Sequence, residues 1–172
     1  MSEAQQQPQR GQNPPEQAAT FQIEKIYVKD LSLEIPHAPQ VFAEQTQPQI
    51  DVHIESGESR FQPDYYEVTL SVTVTARAGE RTLFLAEAVQ GGIFALRNVP
   101  EADIGPLLGI ACPTVLFPYL RETISDLVTR GGFPPLLLSP ISFEQLYLQR
   151  MQQQGTAPLQ PGNGGPRIET AG

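Results

Sequence analysis

The side chains best suited to nucleophilic or metal chemistry are few in this sequence, and they lie far apart. Cys112 is the single cysteine, and it precedes Pro113 without the neighbouring residues that mark a nucleophile. His37 follows a proline and His53 alternates with apolar residues, so the two histidines are not at metal-ligand spacing. We therefore predict a packed thiol and histidines that are solvated or packed in a loop, with neither a catalytic centre nor a metal site.

The carboxylates do not form a better candidate for acid–base chemistry. Glu34 and Glu87 fall on predicted strands and Glu44 falls in a predicted loop, where scattered carboxylates usually form a solvated surface. The sequence has no G-x-x-x-x-G-K-[ST] run, and Gly91-Gly92 is expected at a strand end, where a bulge or kink explains it. These patterns predict a protein that is not an enzyme and that needs no cofactor.

The composition restricts the partners and the compartment. The 172 residues carry 11 Lys and Arg against 19 Asp and Glu, a formal charge of −8 that disfavours binding to nucleic-acid phosphates. One cysteine cannot form an intramolecular disulfide, and the Gln-rich N-terminus lacks the apolar segment of a secretory signal. Eighteen consecutive apolar residues occur nowhere, so we expect a reducing, cytoplasmic environment and no membrane insertion.

The two ends of the chain differ in composition from its middle. Residues 1–19 are rich in Gln and Pro without an aromatic side chain, and residues 155–172 are rich in Gly and Pro. Such segments bury too little apolar surface to offset the entropy cost of ordering. We predict one folded domain at residues 20–154 between two disordered tails.

The first half of this domain has the period-two pattern of β-strands. Apolar and polar residues alternate over residues 28–35, 50–55 and 66–74, and a fourth strand is predicted over 82–90. A hairpin turn about Gly79 would pair Val74 with Phe84 and place Phe84, Ala86 and Ala88 on the covered side. Leu83, Leu85 and Glu87 then point to the open side.

The second half has the longer period of helices. Apolar residues recur three and four apart from Leu116 to Val128, with Pro118 expected in the first turn and Gly131 at the C-cap. Ser142 and Gln145 are spaced as a capping box that begins a second helix, with Ile141 stapled onto Leu146. The fold class predicted is α+β.

Two long connections carry more apolar residues than a solvated linker needs. Residues 36–49 hold three prolines yet include Val41 and Phe42, and residues 131–142 include Phe133 and Leu138. These side chains could fill the core beneath the helices. Alternatively, the proline-rich loop and a helix could border an apolar groove that another chain occupies.

Several multi-residue blocks resemble the SecB family of protein-export chaperones. They are FQIEKIY at 21–27, KDLS at 29–32, PHAP at 36–39, QGGIF at 90–94, CP at 112–113, LFPY at 116–119, GFP at 132–134 and LSP at 138–140. The likeness extends in unbroken order over residues 20–154, outside the predicted tails.

The resemblance implies a four-stranded antiparallel sheet with two helices on one side, assembled as a homotetramer that is a dimer of dimers. It also implies a cytoplasmic holdase that binds unfolded preproteins and passes them to the SecA ATPase. The translocase would dock on Asp30, Glu34, Leu85 and Glu87, which strand parity already places on the open face. The positions that would bind client peptide are Val41, Phe42, Phe133, Leu138, Phe143 and Tyr147.

Two other classes of function compete with this interpretation. An α+β domain could enclose a small ligand, although such a pocket needs polar groups that converge, and the inward positions are nearly all aliphatic. The apolar groove could instead serve self-assembly alone, in a purely structural oligomer.

Overall fold

The computed structural model describes residues 18–43 and 47–155 of the chain. Almost all of both predicted tails, as well as Glu44, therefore lies outside the described residues.

Four long strands form one antiparallel sheet, as predicted. They are β1 (Thr20–Glu34), β2 (Gln49–Gln62), β3 (Tyr65–Ala78) and β4 (Arg81–Arg97), and their spatial order is β1-β4-β3-β2. The strands are longer than the sequence indicated, because β1 begins before residue 28 and β4 continues past residue 90. The two edge strands are thus β1 and β2.

Strand β3 shows most clearly how the sequence makes the sheet two-sided. Val68, Leu70, Val72 and Val74 are almost fully buried, while the Thr and Ser residues between them are half-buried on the opposite side. β-Branched residues that alternate with hydroxyl-bearing ones suit a strand with one covered and one open face. We call these sides the helix face and the open face.

The hairpin between β3 and β4 corrects the predicted register. Phe84 pairs with Ala76 and Ala86 pairs with Val74, so the predicted pairing of Val74 with Phe84 was wrong by two residues. A shift of two keeps every side chain on its face, and Phe84, Ala86 and Ala88 are buried as expected.

Leu83 was predicted to point to the open side, but it is buried. The ladder jumps from the pair Ala76–Phe84 to the pair Arg77–Thr82, which leaves Leu83 as the extra residue of a β-bulge. A bulge breaks the strict alternation of side chains, so both residues at this point join the core.

The Gly91-Gly92 pair lies inside β4, not at a strand end, so that prediction was wrong. The bulges occur on the neighbouring strand β1, at Glu24 and Lys29, on either side of the segment that pairs with the two glycines. Gly91 lies under the ring of Tyr27, where a Cβ would be 2.6 Å from Cζ. Glycine therefore allows the Tyr27 ring to lie flat on the strand.

A long helical segment covers β3 and β4. It consists of α1 (Glu101–Pro106), a π-helical turn at Leu107–Ala111 and α2 (Cys112–Arg130), in direct succession. Leu116, Leu120, Ile124 and Val128 recur every four residues and are buried against the sheet. The predicted amphipathic helix is therefore confirmed.

The predicted start of the amphipathic helix was wrong, because Pro118 lies well inside α2 and not in its first turn. The helical segment starts well before this proline, at Glu101. The π-helical turn ends at Ala111, two residues before Pro113, whose missing N–H cannot donate a regular α-helical hydrogen bond.

The end of α2 and the start of the next helix follow from local signals. Gly132 has φ +87°, and the N–H groups of Gly132 and Phe133 donate to the carbonyls of Thr129 and Val128, as in a Schellman motif. The last helix, α3, spans Phe143–Gly155, and the N–H of Gln145 donates to Oγ of Ser142 at 3.3 Å. This N-cap confirms Ser142 as the start signal.

Length and composition alone would allow the segment Glu101–Arg130 to cross a membrane, with a mean hydropathy of 1.4 in its most apolar window. The search for eighteen consecutive apolar residues had not predicted such a segment. The sheet-facing side of α2 packs in the core, as the central helix of a globular domain does.

Candidate functional site

The four positions predicted for translocase docking lie together on the open face at one end of β1 and β4. Glu34 pairs with Leu85 and Ser32 pairs with Glu87, while Asp30 is opposite Val89. Directly opposed residues of an antiparallel pair share a face, so Asp30, Glu34 and Glu87 form one acidic cluster. Leu85 is half-buried at the Glu34 end of this cluster. The sequence thus placed these four residues on the correct face.

A second charged group lies beside this cluster. Nζ of Lys29 is 2.7 Å from Oε1 of Glu67, and the hydroxyl of Tyr27 donates to the same oxygen. The hydrogen bonds from Lys29 and Tyr27 lower the pKa of Glu67 below its usual 4.5. Burial and the nearby Glu67 raise the pKa of Tyr27 to about 12, so the phenol stays protonated at neutral pH.

Lys29 therefore neutralises Glu67, which is not part of the acidic cluster. Glu87 accepts a hydrogen bond from the hydroxyl of Thr73 at 3.3 Å, which orients the carboxylate without cancelling its charge. The cluster keeps its negative potential.

Gln90 is the residue that the sequence reasoning missed. It is the one buried polar residue among those described, and its Nε2 donates to the carbonyl of Tyr27 at 2.9 Å. Its Oε1 accepts from the hydroxyl of Thr123 on α2 at 3.4 Å. The parity that places Ala86 and Ala88 on the helix face also places Gln90 there, and this signal could have revealed it.

The contact that Gln90 makes lies just before the bulge at Lys29. Val28 pairs with Gln90 and Leu31 pairs with Ala88, and both partners lie on the helix face. Strict alternation would put residues 28 and 31 on opposite faces, and the extra residue of the bulge, Lys29, brings them to the same face. The bulge therefore puts Asp30 and Glu34 on the open face.

On the other side of the sheet, three phenylalanines link the two long connections. The Phe133 ring lies 4.7 Å from the Phe84 ring and 5.4 Å from the Phe42 ring, measured between centroids. Phe133 is partly buried, whereas Phe42 remains half exposed. Of the six predicted client positions, only Phe42 is an exposed apolar side chain.

Three of the six positions lie inside the core, which corrects the expectation that they display apolar surface. Val41 is 4% exposed, Leu138 is 4% exposed and Phe143 is 5% exposed. The 3₁₀ turn Gln40–Ala43 directs Val41 inward and leaves Phe42 outside. The core interpretation thus applies to these residues.

An apolar trough nevertheless exists beside them, and Leu138 is the only one of the three that lines it. It has a volume of about 460 Å³ and lies between the outer strand, the 136–141 connection and α3. We call this surface the trough; its lining is Val52, Ile54, Leu136, Leu137, Leu138, Ser139, Pro140, Ile141 and Leu146. Ser139 supplies the single polar side chain in this lining, so the trough lacks the converging polar groups of a metabolite site.

The trough exists because α2 packs mainly over β4 and β3 and leaves part of β2 uncovered. Val52 pairs with fully buried Val74, yet Val52 is 45% exposed on the same face. Leu137 is 68% exposed and also borders a neighbouring depression of about 530 Å³ along α2. Exposed apolar surface of this kind is typical of surfaces that bind other molecules.

Tyr147, another of the predicted client positions, is neither exposed nor fully buried. Its ring lies over two glycines of the helical segment, Gly105 and Gly109, so that the side chain is half-buried. It does not line the trough, although Leu146 beside it does.

The groups considered for chemistry remain separate. Burial and, to a lesser extent, the charge of Glu58 raise the pKa of the Cys112 thiol to about 12, and its side chain is inaccessible. His53 lies 2.9 Å from Oε1 of exposed Glu55. Within residues 18–43 and 47–155, no cluster of three or more His, Cys, Asp or Glu side chains could hold a metal ion.

Comparison with known proteins identifies the family. The model for the preprotein translocase subunit SecB matches residues 14–154. The protein-export protein SecB of Chromobacterium violaceum is 58% identical over 137 residues, which cover 80% of this chain and 91% of that protein. The SecB of Methylobacillus flagellatus is 52% identical over 142 residues, with coverages of 83% and 90%.

A solved structure supports the same fold. A SecB-like chaperone of Mycobacterium tuberculosis, in complex with an antitoxin peptide, superposes with a TM-score of 0.60 at 20% identity and covers 71% of this chain and 91% of that one. The level of identity to the export proteins, over nearly their whole length, is decisive. The chain belongs to the SecB family of protein-export chaperones.

Proposed function

We propose that this chaperone is an ATP-independent holdase that binds unfolded precursor proteins in the trough and delivers them to the SecA ATPase through the acidic cluster. The observation that carries the proposal is the open apolar lining, above all Leu137, Val52 and Leu146, which the subunit does not cover itself. The trough and the acidic cluster lie on opposite faces of the sheet, so one chain can contact both partners at once.

The binding of client needs no enzyme chemistry. A protein that binds the unfolded state and not the native one lowers the concentration of free unfolded chain by mass action. An extended client has backbone donors and acceptors whatever its sequence, and an apolar trough accepts many side chains. Slow folding of the client then decides which proteins are captured, without a nucleotide or a cofactor.

Delivery would use charge. Asp30, Glu34 and Glu87 lie along one stretch of the open face, and half-buried Leu85 lies at its Glu34 end, which suits a basic partner surface with an apolar contact at its edge. We propose a homotetramer, built as a dimer of dimers in the cytoplasm, in which four chains each carry a formal charge of −8. Such a charge favours encounter with basic segments of unfolded chains.

The peptide held by the SecB-like chaperone of M. tuberculosis is consistent with a peptide-binding role for this fold. At 20% identity, however, the residues of that complex are not transferred to this chain.

The proposal is tested by measuring mass by light scattering, with and without reduced, carboxymethylated lactalbumin as a permanently unfolded client. We expect the mass of four chains alone and a larger complex with the client. A tetramer that does not take up the client would support a structural oligomer instead. A binding experiment with SecA, by titration calorimetry, then tests delivery separately.

A further inference from the structure

Tyr147 packs α3 directly against the backbone of the helical segment that contains Gly105 and Gly109. A Cβ on Gly109 would lie 2.4 Å from Cδ2 and 2.7 Å from Cε2 of this tyrosine. A Cβ on Gly105 would lie 2.9 Å from the tyrosine hydroxyl. All three distances are below van der Waals contact, so the tyrosine side chain occupies space that a residue with a Cβ would need.

The two glycines are four residues apart and therefore lie on one side of their helical segment. Gly105 belongs to α1 and Gly109 to the π-helical turn. Glycine lowers helix stability, and its presence at both positions of one face indicates a packing requirement. That requirement is the Tyr147 ring.

α3 has other contacts with the subunit on either side of Tyr147. At the N-terminal end, the buried Phe143 ring meets the Phe117 ring edge-on at 5.9 Å. Farther along, Arg150 donates to Oγ of Ser56 at 3.2 Å, but both ends of that bond are at the surface. Tyr147 lies between these two contacts, one turn beyond Phe143.

Leu146 gains its orientation from this arrangement. It precedes Tyr147 by one residue, it is 41% exposed, and it lines the trough opposite Val52 and Ile54. When Tyr147 is seated on the glycines, Leu146 is held in the wall of the trough. If Tyr147 left the glycines, this wall would lose its fixed position.

We propose that Tyr147 is a positioning residue for client capture: it seats α3 on Gly105 and Gly109 so that Leu146 lines the trough, and it does not itself contact the client. This inference rests on the proposed function of the trough and replaces the predicted direct contact of Tyr147 with client peptide.

The decisive variant is Gly109→Ala, which changes no residue of the trough. The added methyl group displaces the Tyr147 ring, although Ala favours the helix itself. We expect the affinity for carboxymethylated lactalbumin to fall by roughly three- to tenfold, the cost of ordering one or two side chains on binding. Tyr147→Ala should lower it by the same factor, and the amides of α3 should exchange faster with deuterium in both variants.

A second series keeps the test valid if Gly109→Ala does not fold. Gly105→Ala places a methyl group against the Tyr147 hydroxyl, so it should weaken client binding and loosen α3. Tyr147→Phe removes that hydroxyl and should bind client like the wild type. The double variant, Gly105→Ala with Tyr147→Phe, should regain the affinity that Gly105→Ala loses, which general destabilisation would not do.

The outcomes separate this inference from the proposed function. If Tyr147→Ala weakens client binding while Gly109→Ala does not, the tyrosine contacts the client and the inference is wrong. If neither variant changes the affinity, α3 does not position the trough, and the inference is also wrong. If the wild-type chain does not bind the client, the proposed function itself fails. Separately, unchanged deuterium exchange of the α3 amides in Gly109→Ala would show that Tyr147 does not hold α3 in place, and the inference would be wrong.

Discussion

The open face and the trough use the same sheet for two kinds of surface. The open face is formed by strands alone, and its exposed positions carry carboxylates and hydroxyl groups fixed by regular pairing. The trough lies where α2 leaves part of β2 uncovered, and its exposed apolar side chains are aliphatic. A surface set by strand pairing suits a folded partner with a definite charge pattern, whereas an apolar trough suits many unfolded chains.

The difference also has an electrostatic consequence. Charges on the open face are screened by salt, whereas the transfer of apolar surface out of water is not weakened by it. We therefore expect added salt to weaken delivery more than it weakens the hold on a client. The following four changes test this division of labour, beginning with the largest expected effect.

Leu138→Ala should mainly destabilise the fold, because this side chain is buried although it borders the trough. We expect the free energy of unfolding to fall by about 3 kcal/mol, as for other buried Leu to Ala changes. Urea unfolding at a fixed protein concentration measures the change. Leu137→Ala next to it is the matched control, since Leu137 is 68% exposed and should cost less than about 0.5 kcal/mol. Loss of client binding in Leu138→Ala without loss of stability would place Leu138 at the client after all.

Glu87→Lys should weaken SecA binding while it leaves client binding intact, and Asp30→Lys should act in the same direction. Reversal of one charge in the acidic cluster should lower the affinity for SecA about tenfold to a hundredfold, or ~1.4 to 2.7 kcal/mol. Titration calorimetry with each partner measures both affinities. Glu122→Lys on α2 makes the same change in net charge on the other side of the sheet and should leave SecA binding unchanged. Equal losses for both partners would contradict two separate surfaces.

Phe42→Ala should weaken client capture with little change in stability. The ring is half exposed and contacts Phe133, so a client can bury its outer side. We expect a loss of about 1 kcal/mol in client binding, or roughly fivefold in affinity. Suppression of client aggregation measures the effect. Phe61→Ala removes an equally exposed phenylalanine near the C-terminal end of β2 and serves as the control. The same loss in both variants would mean that capture does not use this site.

The contact between Lys29 and Glu67 should have the smallest effect, and it should depend on pH. The folded-state pKa of Glu67 is lowered, so its contribution to stability is present above pH 4.5 and is lost as the pH falls through the folded pKa. Lys29 is about half exposed, which limits the contribution to about 0.5 kcal/mol. Urea unfolding should therefore show Lys29→Met as slightly destabilised at pH 7 and equal to the wild type in strong acid. Lys25→Met provides the control, and a difference that persists in acid would exclude the ion pair as its cause.

Much of the sheet could be predicted from the sequence, because alternation over several residues defines both a strand and its two faces. The register error of two residues at Phe84 left the faces unchanged, and Asp30, Glu34 and Glu87 were placed correctly. Predictions failed where regular pairing was interrupted. Leu83 is buried because of a bulge, and a bulge has no signature in the alternation itself.

The trough was harder to predict, because it is formed largely by a connection without a period. Leu137 and Leu138 are adjacent and of one type, yet one is exposed and the other is buried. Nothing local distinguishes them, since the outcome depends on where α2, α3 and β2 happen to leave space. Val41 and Phe42 are a second such pair, because they are adjacent in one 3₁₀ turn, yet Val41 is buried and Phe42 is exposed.

The sequence by itself determined the family resemblance, the two-sided strands, the N-cap at Ser142 and the acidic cluster on the open face. Each of these depends on neighbours within a few residues, through backbone geometry and side-chain alternation. The tertiary structure alone decided which apolar residues remain open in the trough and that Tyr147 rests on two glycines. Burial depends on segments distant in the chain, and only their packing together fixes what water can still reach.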